Sequence, residues 1–362
     1  MLAGSYPALL QSWHGQYLAH GITLSALLAL VGAYVVPVAG FCVGVAFGRV
    51  PQPSGRTVLL FRLSLIMVAT PPAFTLVGVV LYLMKITGAD TGVWVALCAI
   101  IGVGTILRYL RLYPKAPPAA PEAPARLGRL RYSHGVVTAL LWVGFIAAHL
   151  FNHLVALEGA AAHGAVLHAL RQVYRNRWVE PARLVLLAFQ LLSGLMLWQP
   201  KTRKATDLLG TLQSASGIYL AVYLASHVNA VFVLARHFGI ETDWGWATGA
   251  PVGILHDAWD IRLLPHYSLA VFLVLAHLSC GLRAILMAHG ACATGHAAGH
   301  PGGSHSARTG VRSGHRIGPS ARGLSSDECA PGAEGDGAAV TRLDGLAGRM
   351  RVAAPPICHR TA

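Results

Sequence analysis

Residues 140–159 read LLWVGFIAAHLFNHLVALEG. No charge interrupts the run before Glu158. A stretch of about 20 apolar residues is long enough to cross a hydrocarbon core of roughly 30 Å as a helix. Yet this one carries His149, Asn152 and His153. Polar and ionisable side chains are costly inside a bilayer, so they are functional hypotheses from the outset. Three more apolar runs follow, and each holds one comparable residue: Gln190, His227 and His277. Three histidines and a glutamine on four consecutive helices are what the rest of the chain must explain.

The whole sequence is of the same kind. It is 54% hydrophobic and 12% charged over 362 residues, with a mean hydropathy of +0.54. That composition excludes an ordinary soluble domain. Apolar runs occur at about 22–47, 57–84, 91–113, 135–157, 180–199, 207–235 and 266–288, which predicts about seven spans. The fold class expected is therefore all-α: a polytopic membrane protein with a C-terminal four-helix bundle of the haem-binding type. The first 20 residues hold no Lys or Arg, so they lack the charged start of a cleavable signal peptide. The first helix is expected to stay and to act as its own insertion signal.

Orientation is read from basic residues near the helix ends. One set of loops holds Arg49, Arg56, Arg108, Arg111, Lys115, Arg126, Arg129, Arg131, Lys201, Arg203 and Lys204. The opposite set holds Lys85, Arg171, Arg175, Arg177, Arg236 and Arg262. The excess on the first set puts the N-terminus outside and the C-terminus in the cytoplasm of a bacterium, across its inner (plasma) membrane. The net charge of +14 is then largely the basic excess that topology demands. No aromatics interleave with Lys and Arg as nucleic-acid binding would need, so no nucleic acid is expected. Cys42, Cys98, Cys280, Cys292, Cys329 and Cys358 form no CxxC, and neither a disulfide framework nor a zinc site is expected.

The pattern divides the chain into residues 1–113, a three-helix N-terminal membrane block; 114–131, a Pro/Ala/Arg linker; 132–290, the four-helix bundle; and 291–362, a basic Gly/Ala/His tail. The linker sequence PKAPPAAPEAPARLG at 114–128 predicts a semi-rigid, non-helical spacer. The tail has no periodicity and is expected to be disordered. Thr70-Pro71-Pro72 falls mid-helix in the second run and should kink it. Arg62 in the same run either snorkels to the inner interface or lines a polar site. Residues 160–176 predict a short amphipathic surface helix, with Val166, Leu167, Leu170, Val173 and Tyr174 on one face. Residues 238–264 form a longer outer loop with Trp244, Trp246 and Trp259. These fit either an interfacial aromatic belt or a lid over a bound head group.

Antiparallel spans permit a depth comparison. Counting from the outer ends, His149 and His227 lie about eight or nine residues deep, roughly 12–13 Å at 1.5 Å per residue. Gln190 and His277 lie about 11–12 residues deep, roughly 17–18 Å. A haem held edge-on between helices needs two ligands at one level, and His149 with His227 meets that condition. Ser193-Gly194, Ser216-Gly217 and Gly281 would let a flat macrocycle or another helix come close. His153, one turn beyond His149, is a substitute ligand, a propionate partner or a hydrogen-bonded bundle histidine. Taken singly, a membrane histidine more often bonds a neighbour or relays protons than ligates haem; it is the matched depths that favour ligation.

The motifs carry a resemblance. His149-Leu150-Phe151-Asn152, Phe189-Gln190-Leu191-Leu192-Ser193-Gly194, Gln213 with Ser216-Gly217 and His227 14 residues after Gln213, and His277 with Gly281 together resemble the dihaem cytochrome b membrane anchor of the succinate dehydrogenase and fumarate reductase (succinate:quinone oxidoreductase) family. The likeness covers about residues 132–290. It implies that His149 and His227 hold the iron of a haem b near the outer side. It also implies that the positions of Gln190 and His277 belong to a second haem, where glutamine replaces one imidazole. One haem is thus expected and two are allowed. The three N-terminal helices are foreign to that family.

The function expected is a membrane electron-transfer subunit that binds haem b and exchanges electrons with quinone, with soluble redox subunits as partners on the inner face. Any enzymatic part would be that of a quinone-reactive subunit. His153, Glu158, His256 and Asp257 are the proton partners expected for a quinone near the outer ends. The rival readings are a haem-free transporter, with Arg62, the Pro71-Pro72 break and the intrahelical His and Gln along a polar path, and a structural anchor of a multi-subunit complex.

Overall fold

A computed structural model describes residues 2–111 and 125–288. Within them every regular element is helical. A turn at Leu2–Ser5 leads into α1 (Tyr6–His20), α2 (Leu24–Gly48), α3 (Gly55–Val68), α4 (Thr70–Leu83) and α5 (Asp90–Arg111). After the undescribed stretch come α6 (Ala125–Leu141), a π-helical segment Trp142–Ile146, α7 (Ala147–Val155) and α8 (Ala160–Tyr174). Then follow α9 (Val179–Lys201), α10 (Leu208–Val228) with a second π-helical segment Asn229–Ala235, the short α11 (Trp244–Thr248) and α12 (Leu263–Ala288). Six helical spans are long and apolar enough to cross a membrane, and a bent pair makes a seventh. The chain is an all-α polytopic membrane protein.

The bent pair is α3 and α4. They meet at 64° around Ala69, where Thr70-Pro71-Pro72 begins the second helix. Proline has no N–H to offer and its ring excludes the carbonyl four residues back, so one continuous helix cannot run through. The expected kink is therefore a full break. Other ends are fixed by side-chain caps. Thr23 accepts from Ala26 N, Ser54 from Thr57 N and Asp207 from Gly210 N, each satisfying an amide that its helix leaves orphaned.

Three boundaries depart from the sequence reading. Tyr6–His20 is helical, although these 15 residues are too few and too mixed to read as a span. The helix expected from 135 starts at Ala125, so the last residues of the predicted Pro/Ala spacer are helical; beyond Pro124 the prolines end and Ala, Arg, Leu and Gly continue the turn. The last helix starts at Leu263 rather than near 266, preceded by a turn over Asp260–Arg262. The rest of the linker and the tail lie outside the described residues.

Packing ties the N-terminal helices to the bundle. Gly40, Gly44 and Gly48 form a stripe on α2 against α3: a Cβ on Gly40 would stand 2.7 Å from the Ser64 carbonyl oxygen. Small residues in this spacing allow close helix approach in a membrane. Phe61, Leu65 and Val68 of α3 share one buried cluster with Ala215, Ile218 and Tyr219 of α10 and Ala270 and Leu273 of α12. A second cluster joins Tyr6, Leu10, Ala33, Val36, Phe74 and Trp94. The outward faces are apolar too: Ile100, Val103, Ile106 and Leu110 on α5 are each more than half exposed, as lipid contact requires.

Arg62 leaves its helix sideways. Its Nε donates to Thr202 Oγ1 at 2.8 Å and its guanidinium donates to the Gln199 carbonyl at 2.7 Å. It thus ties α3 to the C-terminal end of α9, where orphaned carbonyls favour a cation.

Candidate functional site

The outer end of the bundle gathers imidazoles. α7 presents His149 and α10 presents His227, with ring centroids 6.1 Å apart at 62°. Neither ring has a hydrogen-bond partner among the described residues, and both are half-buried. Each is held by stacking instead. Phe145 lies against His149 at 5.3 Å and 18°, and Tyr223 against His227 at 5.4 Å and 9°. The backbone is special at both: Trp142–Ile146 precedes His149 and Asn229–Ala235 follows His227, each π-helical. Such segments are rare and frequent at functional sites.

α6 and α7 lean on α9 and α8, while α10 packs on α2, α3, α4, α9 and α12. Imidazole is a usual donor to haem iron, so His149 and His227 are the residues that would hold such a group. Arg183 of α9 stands beside Phe145, Tyr174 and Phe232, its carbon 4.5 Å from the Phe145 ring centre, and its buried Nε has no hydrogen-bond partner.

The remaining candidates are placed as follows. His153 is exposed at 4.8 Å from the His149 ring and 5.6 Å from His163. Gln190 turns to α6: its amide nitrogen meets His134 Nε2 at 2.9 Å and Thr138 Oγ1 at 2.5 Å. His277 meets Ser216 Oγ of α10 at 3.0 Å. That hydroxyl already donates to Leu212 O at 2.7 Å, so it accepts from His277 Nδ1–H and leaves Nε2 as the lone-pair nitrogen. Gln190 and His277, matched in depth, are thus each engaged with a different helix. Of the expected quinone partners, Glu158 and His256 are exposed, and Asp257 accepts the Trp259 and Asp260 amides at 2.7 and 2.9 Å.

Sequence reasoning missed three histidines. His134 on α6 bonds Ser193 Oγ at 2.8 Å as well as Gln190; it lies in a stretch read as the start of a span. His163 on α8 is buried at 2% exposure and bonds Asn152 at 3.0 Å. Burial holds its imidazole below the ordinary range, Arg171 adds to this, and Asp243 opposes it. His266 on α12 is also 2% exposed, with its ring 4.6 Å from Tyr223 and no partner for Nδ1. It follows Pro265, at what the hydropathy pattern marks as the membrane surface.

The outer loop closes over this region. A cavity of about 100 Å³ lies between α4, the end of α10, the loop and the start of α12. His227, His266, Tyr267, Asp260, Trp246 and Trp259 are among its walls. Trp244 sits 5.1 Å from His163. The three tryptophans are therefore turned inward on the histidine cluster. Arg171 binds Glu241 and Thr242 of the loop and so fastens α8 to it.

No family model, curated protein or solved structure matches this chain. The site must be read from its own chemistry.

Proposed function

We propose that the chain is a membrane electron-transfer subunit, with one b-type haem ligated by His149 and His227 and a quinone as its membrane-soluble redox partner. One observation supports the reading: two neighbouring imidazoles on different apolar helices lie 6.1 Å apart and are free of hydrogen bonds among the described residues. Bound there, the haem would supply one-electron chemistry whose potential is set by ligation and burial. The chain's own residues do the rest. Phe145 and Tyr223 fix the planes of the two imidazoles. Arg183, on α9, already pairs with Glu180 and keeps only its buried Nε–H for an acidic substituent. His277, with Nδ1 spent on Ser216, keeps a free nitrogen for a second haem only if a partner other than the engaged Gln190 is found. In this reading the N-terminus is outside, the C-terminus is inside a bacterial plasma membrane, and soluble redox subunits dock on the inner face.

The test is a dithionite-reduced minus oxidised spectrum of the purified protein with haem quantitation. We expect a b-type band at about one haem per chain, lost in His149→Ala and in His227→Ala and kept in His277→Ala. Protein that carries no haem after expression with ample haem supply would end the reading.

The 64° break between α3 and α4, with Thr75 and Val79 of α4 on a cavity wall, favours a second reading, a haem-free transporter. Broken helices are tolerated in membranes where they line a cavity. Substrate uptake by haem-free protein in vesicles would establish it.

A further inference from the structure

The cavity beneath Trp246 and Trp259 joins two bundle helices to parts of the chain that a four-helix bundle does not contain. α4 contributes Thr75 and Val79, and the outer loop contributes Trp246, Trp259 and Asp260; the larger share comes from α10, the π-helical segment after it and α12. We infer that this cavity is a binding site for a hydroxylated aromatic ring, with His266 and Asp260 as its hydrogen-bonding groups. The inference goes beyond the haem reading and does not depend on it.

Three features argue for that ligand class. The first is size: an apolar cavity of about 150 Å³ takes a benzene ring, and this one, at about 100 Å³, is of the order of a single ring. The second is its walls. Trp246, Trp259 and Tyr267 offer faces and edges for a planar guest, and aromatic pairs gain about 0.5–1.5 kcal/mol beyond simple burial. The third is unspent polarity. His266 lines the cavity, and neither of its ring nitrogens has a hydrogen-bond partner among the described residues. A buried polar group without a partner costs about 1–3 kcal/mol. A neutral imidazole can both donate and accept, and the Asp260 carboxylate accepts. A ring hydroxyl both donates and accepts, so it can bond either group, whereas a purely hydrocarbon guest would leave the imidazole unpaired.

Two sources could supply such a ring: a lipid-tailed quinol from the bilayer, or a tail-less phenol from the outer aqueous phase. The probes are 4-hydroxyquinoline N-oxide carrying a heptyl tail and the tail-less parent, each titrated into the full-length purified protein and followed by probe fluorescence. We expect saturable binding at one site per chain, weakened at least about ten-fold in His266→Leu. Should that variant fail to fold, Ala230→Trp fills the cavity from the π-helical end of α10 and should abolish binding. Preference for the tailed probe assigns the bilayer as the source; equal binding of both assigns the aqueous phase. Non-saturable partitioning, or saturable binding unchanged in Ala230→Trp, overturns the site. Haem content is read on the same samples. Binding to haem-free protein upholds this site while the haem reading fails, and haem with unaltered binding in the filled-cavity variant does the reverse.

Discussion

His163 shows how much a single side chain can decide at the outer surface. It is buried, its one hydrogen bond goes to Asn152, and Trp244, His153, Asp243 and Arg171 surround it. Burial favours the neutral ring. A group whose folded-state pKa is depressed stabilises the fold above its unfolded value, and that contribution is lost as pH falls through the folded value. Acidification below the ordinary imidazole value of about 6.5 should therefore loosen α8 from α7. Amide exchange over 160–174 at pH 7.5 and 5.5 would show it. His163→Gln, which cannot be protonated, should flatten the difference; an undiminished difference would assign the effect elsewhere. At this scale the nearness of His149 and His227 was legible, because hydropathy isolates a polar residue within an apolar run and their depths match. It hid His266 and His163 because a histidine near a predicted interface looks solvated until the loop that covers it is placed.

Arg262 is a second residue-scale case. It is 5% exposed, pairs with Asp90, and lies 4.5 Å from the ring centres of both Phe74 and Trp259. Removing one member of a buried pair strands a charge and typically costs about 3–5 kcal/mol, whereas apolar replacement of both is often neutral. Asp90→Leu alone should thus lower the detergent melting temperature markedly, and adding Arg262→Met should restore most of the loss. A double variant no better than the single would show that the cation also serves the loop directly, through its bond to the Trp259 carbonyl at 2.8 Å.

At the scale of elements, the glycine stripe on α2 sets how near α3 can come. Gly40→Val must displace the Ser64 carbonyl, and overpacking of this kind costs about 1–3 kcal/mol. The same change at Gly92, where an added Cβ meets nothing within 4 Å, should be far milder; thermal melts of the two variants side by side test the contrast. The spans were legible because length and hydropathy alone identify them. So was the break at Thr70-Pro71-Pro72, since proline chemistry is local. The helix over 125–128 and the start of α12 were not, because Ala, Leu and Arg are as content in a helix as in a linker and only packing decides.

For the whole molecule, the N-terminal helices and the bundle helices share a buried cluster. Phe61, Leu65 and Val68 bury against α10 and α12, and Thr75 and Val79 wall the cavity beside His227. A fragment of residues 125–288 should aggregate or elute as a broad peak in detergent. Co-expression with residues 1–113 should recover a monodisperse complex, and a fragment that is monodisperse alone would contradict the shared core. Hydropathy could not reveal this, because in a bilayer the faces that meet lipid and the faces that meet protein are equally apolar.

The two π-helical stretches also carry a genetic consequence. Each behaves as an α-helix that has absorbed an extra residue. Deleting one codon within 142–146 or 229–235 should let the local backbone relax to α-helical winding, with both flanks still in phase. Deleting one codon elsewhere in these helices would turn everything beyond by about 100° and swing polar side chains toward lipid. A single-codon deletion scan should therefore show two islands of tolerated membrane insertion, each bordering a histidine of the facing pair. Within those islands the shortened protein should insert normally and lose only what the extra residue was there to aim.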